Sequence, residues 1–310
     1  MLRSIEICAG AGGQALGLEQ AGFDHMALVE IESPACETLK LNRPRWNIIE
    51  GDVHSFSAKE YAGTIDLLAG GVPCPPFSVA GKQLGADDER DLFPEALRLV
   101  EECQPKAVMI ENVKGIFYPK FSEYRKQVTD RLESMGYQWW WQLVQASDYG
   151  VSQLRPRAIL VAIREPWASN FKWPEPHAED AKFVGELLRD EMGAGGWKGV
   201  DAWADAAQGI APTLVGGSKK HGGPDLGPTR ARQAWKQLGV NGGSIAEEPP
   251  GADFEGMPRL TVRMAAMIQG FPASWEFSGR KTAAYRQVGN AFPPPVAKAV
   301  GESIKEALNA

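Results

Sequence analysis

Ser4-Ile5-Glu6-Ile7-Cys8-Ala9-Gly10-Ala11-Gly12-Gly13-Gln14-Ala15-Leu16-Gly17 decides the fold of this chain. The apolar run from Ser4 to Cys8 reads as a strand, and it enters a glycine turn that opens a helix. Gly10, Gly12 and Ala15 fit the pattern G-x-G-x-x-G/A, whose glycines permit a tight turn and close backbone approach to a ligand at a helix N-terminus. Glu30 follows twenty residues after Gly10, at the end of a second apolar strand, Met26 to Val29. A carboxylate placed there can accept hydrogen bonds from both hydroxyls of a ribose. Asp52, just after Ile48-Ile49-Glu50-Gly51, sits at the next strand tip. Three strand-end features in this order point to a nucleoside ligand at one edge of a sheet.

Working outward, Gly70-Gly71-Val72-Pro73-Cys74-Pro75-Pro76-Phe77-Ser78 places a thiol between two prolines, downstream of the strand-like run Ile65 to Ala69. Proline fixes φ and removes a backbone donor, so the loop is stiff and stays out of helix or sheet pairing. A thiol attacks as its thiolate, and a rigid loop beside polar groups suits covalent chemistry. Ser78 to Asp91 combines glycines with Lys82, Arg90 and several acids and reads as a mobile lid, after which Leu92-Phe93 begin a helical pattern toward Val100. Glu111 follows the strand-like Lys106 to Ile110, on the edge of a parallel sheet that also carries Cys74. Arg155 and Arg157 alternate ahead of Ala158 to Ile163, so on a strand both would point to one face.

Composition is compatible with one large domain and a smaller one, at 310 residues and 44% apolar content. From Glu165 to Pro258 the strand and helix alternation stops and Gly, Pro and Trp accumulate, which marks 165–258 as a second domain inserted between 1–164 and 259–310. Helical pattern returns at Thr261 to Gln269, and Pro293-Pro294-Pro295 begin a last amphipathic helix. Trp139-Trp140-Trp141 reads as sheet packing. Cysteines 8, 36, 74 and 103 form no C-x-x-C pair, and histidines 25, 54, 177 and 221 show no ligand spacing. A reduced cytoplasmic setting is expected, with no metal, and no apolar run approaches the ~18 residues that span a bilayer. The net charge of −6 runs against nucleic-acid binding, yet Ile210 to Val240 carries five basic residues against Asp225 alone, a local charge of +4.

These motifs together resemble the cytosine-5 DNA methyltransferases that use S-adenosylmethionine. The resemblance covers nearly the whole chain in the family's order: Ala9-Gly10-Ala11-Gly12-Gly13, Glu30, Gly51-Asp52-Val53, Pro73-Cys74-Pro75-Pro76-Phe77-Ser78 with Gly81-Lys82-Gln83, Glu111-Asn112-Val113, Gln153-Leu154-Arg155-Pro156-Arg157, Arg259-Leu260-Thr261-Val262-Arg263 with Gln269-Gly270-Phe271-Pro272, and Tyr285-Arg286-Gln287-Val288-Gly289-Asn290. It implies an α/β, Rossmann-like methyltransferase fold, a mostly parallel twisted sheet with helices on both faces, plus an irregular target-recognition domain. Cys74 would add to cytosine C6, Glu111 would serve N3, and Arg155 and Arg157 would hold Glu111 and the base. S-adenosylmethionine, leaving as S-adenosylhomocysteine, would meet Ala9, Gly10, Ala11, Gly12, Gly13, Glu30, Ile31, Asp52, Val53, Pro73, Leu92 and Asn290. Double-stranded DNA would meet Ser78, Lys82, Gln83, Asn112, Gln153, Thr213, Lys219, Lys220, His221, Arg230 and Arg232. A bacterial restriction-modification setting is implied, with a cognate endonuclease as a separate partner and location at the nucleoid.

Two departures stand out: Cys8 replaces an aromatic residue common in the family just before the glycine turn, and the lid is one residue shorter, with Pro75-Pro76 in place of a Gln-containing pair. The same motifs admit the same chemistry on RNA, and a DNA-binding regulator without catalysis would use the cofactor motif alone. A nicotinamide oxidoreductase accounts for Gly10, Gly12 and Glu30 but leaves Cys74 and the arginine pair without a task. The recognised sequence and the base that removes the C5 proton are not written in the chain.

Overall fold

The structure is a computed structural model that describes residues 1–73, 91–216 and 223–310. Its centre is a seven-stranded sheet built from β1 (Leu2–Ile7), β2 (Phe23–Glu30), β3 (Ile48–Glu50), β4 (Leu67–Gly71), β5 (Ala107–Val113), β6 (Tyr137–Gln145) and β7 (Pro156–Arg164). The order across the sheet is β3-β2-β1-β4-β5-β7-β6, parallel throughout except that β7 runs against both of its neighbours. The strand order reverses between β1 and β4, which opens a crevice beyond their carboxyl ends, the usual ligand position in such sheets.

Alternate residues of each central strand enter opposite layers. Val108 and Ile110 of β5, with Leu160 and Ala162 of β7, join Ile5, Ile7 and Leu68 in a core closed by α3 (Phe93–Cys103) and α4 (Ser122–Ser134). Ala107, Met109, Ile159 and Val161 face the other layer, made by α1 (Gly13–Ala21) and α10 (Pro294–Asn309). Both faces are therefore apolar, the signature of a buried parallel sheet. Trp139 and Trp141 pack into the first layer and Trp140 into the second, so the tryptophan run is sheet packing. Contact between α1 and α10 depends on Gly17, where a β-carbon would stand 2.3 Å from Pro294 O. α2 (Ser33–Asn42) follows β2.

The 165–258 stretch is less irregular than its composition suggests. It contains α5 (Val184–Gly193), α6 (Val200–Ala206) and α7 (Thr229–Gln237). Val184, Leu188 and Met192 fall at helical spacing and are buried with Trp203, Trp235 and Ile245. That core does not close on itself. It takes in Met264 and Ile268 of α8 (Val262–Ile268), Tyr285 and Val288 of α9 (Lys281–Asn290), and Leu16 of α1. Ala168 and Phe171 belong instead to the layer under the sheet.

His25 ties β2 to β1 and α1. Its Nε2–H donates to Ala15 O at 2.8 Å, which leaves Nδ1 to accept from Ser4 Oγ at 2.9 Å. Burial lowers its pKa, so the folded chain keeps the ring neutral while the unfolded chain takes up a proton below about 6.5. We therefore expect stability to fall as pH drops from about 6.5 toward the lower folded value. Urea midpoints of the parent and His25→Gln, measured across this range, should converge as pH falls.

Candidate functional site

The crevice beyond β1 and β4 is a cavity of about 490 Å³. Cys8, Ala9, Gly10, Ala11, Gly13, Glu30, Ile31, Asp52, Val53, Pro73, Leu92, Glu111 and Asn290 line it together with Glu6, Gln14 and Arg286. Residues far apart in sequence meet there because parallel strands all deliver their carboxyl ends to one edge. Gly12 is different: it caps α1 in the left-handed region at φ 86°, and a β-carbon there would meet Leu39 Cδ2 at 2.7 Å and the Trp275 ring. It shapes the turn without lining the cavity.

Glu30 is buried, and its two oxygens accept from Gly10 N and Glu32 N, each at 2.7 Å. The carboxylate thus fixes the glycine turn and keeps lone pairs for a ligand. Its pKa is raised, chiefly by burial. Asp52 accepts from His54 N at 3.0 Å and His54 Nδ1 at 2.7 Å, and those bonds hold its pKa down. Cys8 has φ 53°, and burial, followed by Glu30, Glu6 and Asp52, pushes its thiol up to about 12. It is a neutral wall of the cavity. Carboxyl groups of Glu6, Glu30, Glu32, Asp52 and Glu111 line the cavity against Arg286 alone, so its wall is rich in acceptors for a ligand that donates hydrogen bonds. Among the described residues no cluster of metal-ligating side chains occurs, and no helix is long and apolar enough to cross a membrane.

At the far end of the cavity stands Glu111, opposite Gly71 in the β4/β5 register. Arg157, opposite Val113 in the β5/β7 pairing, brings Nε to 2.6 Å from Glu111 Oε1. Burial raises the Glu111 pKa, and Arg157 and then Arg155 oppose that shift. A carboxyl so placed keeps a proton to higher pH than an exposed one and can release it to a basic nitrogen.

Arg155 departs from the expected pairing. β7 begins at Pro156, so Arg155 precedes the strand and turns into the protein, where it is 1% exposed. Its guanidinium donates to Leu214 O at 2.8 Å, Gly289 O at 2.8 Å and Ala291 O at 3.0 Å. Its field still reaches Glu111, but its hydrogen bonds join the 213–216 segment to the end of α9. Asn112 and Gln153, expected at the DNA surface, are also buried. Asn112 Nδ2 donates to Val72 O at 3.0 Å, securing the backbone that leads to Cys74. Gln153 accepts from Leu214 N at 2.8 Å and donates to Gln269 Oε1. Thr213 donates to Leu154 O. Arg230 and Arg232 lie exposed on α7. Cys74, Ser78, Lys82, Gln83, Lys219, Lys220 and His221 lie outside the described residues. Glu6 and Gln14 escaped the sequence reading although both stand inside the opening motif; polar residues amid buried neighbours were the available signal.

The family model for C-5 cytosine-specific DNA methylases matches residues 2–306. The Type II methyltransferase M.NgoMIV of Neisseria gonorrhoeae is 57% identical over 98% of this chain and 97% of its own length. The Type II methyltransferase M.NaeI of Lentzea aerocolonigenes is 55% identical over 99% of this chain and 76% of its own. In fold, the S. pombe Dnmt2 methyltransferase superposes with a TM-score of 0.68 at 18% identity, all of both chains being covered. With a strand order that places Glu111, Glu30 and the glycine turn around one cavity, and with a family match across almost its whole length, the chain belongs to the C-5 cytosine-specific DNA methylases.

Proposed function

We propose that this enzyme moves a methyl group from S-adenosylmethionine to C5 of a cytosine flipped out of a short, specific duplex DNA sequence, with Cys74 adding to C6. The observation that carries the reading is the placement of the Arg157-held Glu111 in the same cavity as Glu30 and the glycine turn. The acid-lined pocket, with its buried unpartnered Glu6 Oε2 and Gln14 amide, fits a cofactor bearing a sulfonium and an ammonium. Bound there, the cofactor would supply an electrophilic methyl group. Glu30 would orient the ribose, Asp52 and Ile31 would border the adenine, and Cys8 would pack where relatives use an aromatic ring.

Cytosine C5 is not nucleophilic in the intact ring. Addition of the Cys74 thiolate at C6 makes the ring an enamine and sends electron density toward N3 and O2. The proton on Glu111 meets that density at N3, while Arg157 holds the carboxyl in place. C5 would take the methyl group as its bond to the cofactor's sulfur breaks, leaving S-adenosylhomocysteine; the C5 proton would pass to water, and the N3 proton would return to Glu111 as the C6–S bond breaks and the Cys74 thiolate is restored. A base in a duplex hides C6, so the reaction requires flipping, at a cost of roughly a few kcal/mol. Arg230 and Arg232, with Lys219, Lys220 and His221, are candidates for the DNA contacts of a recognition domain spanning 165–258. The names of the relatives support a Type II restriction-modification role. A separate cognate endonuclease and a cytoplasmic location belong to the same proposal.

Labelled S-adenosylmethionine offered with mixed-sequence duplex DNA, and with RNA in parallel, tests the reading once modified cytosines are mapped. Label at C5 of one cytosine in a fixed duplex motif is expected; label in RNA alone would replace DNA as the substrate. Glu111→Gln keeps the shape but loses the proton, and turnover should fall by about a hundredfold. Because the working form of Glu111 is the protonated one, parent kcat/KM should decline as pH rises through its raised pKa, and that limb should flatten in the variant.

A further inference from the structure

Gln14 is the second residue of α1, 3% exposed, and borders the cofactor cavity, yet neither its amide oxygen nor its amide nitrogen has a partner among the described residues. Buried polar groups are almost always satisfied, and an amide with both ends idle on the wall of an open cavity is placed to be completed by what the cavity binds. Glu6 repeats the pattern on the strand below. Its carboxyl accepts from the Ala15 backbone, while Oε2 is buried with no partner. The two side chains flank the start of α1, whose first amides point outward and whose positive end attracts anions. Gly10 N, by contrast, is already taken by Glu30.

Together these groups offer donors and acceptors side by side: the Gln14 NH2 and helix amides on one hand, the Gln14 carbonyl and Glu6 Oε2 on the other. An α-amino acid presents the complementary pair, a carboxylate and an ammonium on one carbon. We propose that Gln14 is a specificity-determining residue for the amino-acid end of the cofactor, its NH2 donating to the carboxylate and its carbonyl, with Glu6 Oε2, accepting from the ammonium. This rests on the assignment of S-adenosylmethionine to the cavity. Selectivity follows from it: nucleosides lacking the amino-acid end leave the buried amide unsatisfied, and they bind more weakly for that reason.

Calorimetry with two ligands separates this role from a structural one. S-adenosylhomocysteine carries the amino-acid end; 5′-methylthioadenosine shares its nucleoside and sulfur but lacks that end. In the full chain, Gln14→Met, an unbranched replacement of similar length, should weaken S-adenosylhomocysteine by about tenfold or more while shifting methylthioadenosine by less than about twofold. Gln14→Glu, which sets a negative charge against the carboxylate, should show the same selectivity with a larger loss. Equal losses for both ligands, or no loss for either, would overturn the assignment of Gln14. Failure of the parent chain to bind either ligand would remove the cofactor reading and this subsite with it, an outcome distinct from the selective loss.

Discussion

Cys74→Ser is expected to reduce methyl transfer by at least roughly 10³-fold, the scale on which loss of a catalytic nucleophile acts, while S-adenosylhomocysteine binds as before. Serine keeps the size of the side chain but ionises far less readily than a thiol, so little nucleophile is present to add at C6. Among the described residues, the cavity proposed for the cofactor is walled by β1, β2, β4, β5 and the end of α9, so binding there is expected to survive the substitution. A second measurement isolates the covalent step. With S-adenosylmethionine present, duplex DNA carrying 5-fluorocytosine in the recognised motif would take the methyl group at C5 and have no C5 proton to lose, so the parent enzyme should remain bonded to it through Cys74 and the variant should not. Turnover by Cys74→Ser near the parent rate would take the nucleophile's role away from this residue.

Arg155→Met should destabilise the folded chain by about 3 kcal/mol or more, a large share of the typical stability of a domain. The side chain is buried and serves three carbonyls on two separate segments, Leu214 on one and Gly289 and Ala291 on the other. Methionine fills similar space but donates nothing, leaving those oxygens desolvated. Two of them lie at the C-terminal end of α9, where a cation also meets the negative end of the helix. Arg155→Lys should recover only part of the loss, since an ammonium cannot copy the planar fork. Urea denaturation measures both. A midpoint for Arg155→Met equal to that of the parent would show that the joint between the 213–216 segment and α9 is held by something else. Asn290, at the end of that helix, borders the cavity proposed for the cofactor, so a loosened joint should also weaken S-adenosylhomocysteine.

Arg155 and Arg157 show where reading a sequence stops. Their i, i+2 spacing suggested a shared face, but that rule holds only for residues that are both on a strand, and β7 starts between them. Gln153 and Asn112, expected at DNA through the family resemblance, are hydrogen-bonded in the interior. Inside 165–258, Val184, Leu188 and Met192 keep a helical spacing that the sequence reading passed over. Tryptophan and glycine enrichment obscured that signal.

What the sequence determined by itself is the order of local events: an apolar strand, a glycine turn, a helix, and the carboxylates of Glu30 and Asp52 at the next two strand ends. These are set by backbone sterics and hydrophobic periodicity within a few residues, and they suffice for the sheet, its carboxyl edge and the candidate chemistry of Glu30, Cys74 and Glu111. Tertiary structure alone decided which polar groups were left without partners and which were consumed. Glu6 Oε2 and the Gln14 amide border the cavity unsatisfied, and Arg155 gives three hydrogen bonds to carbonyls up to 136 residues away. Hydrogen-bond satisfaction depends on what the rest of the chain brings alongside, and no local pattern of residues encodes that.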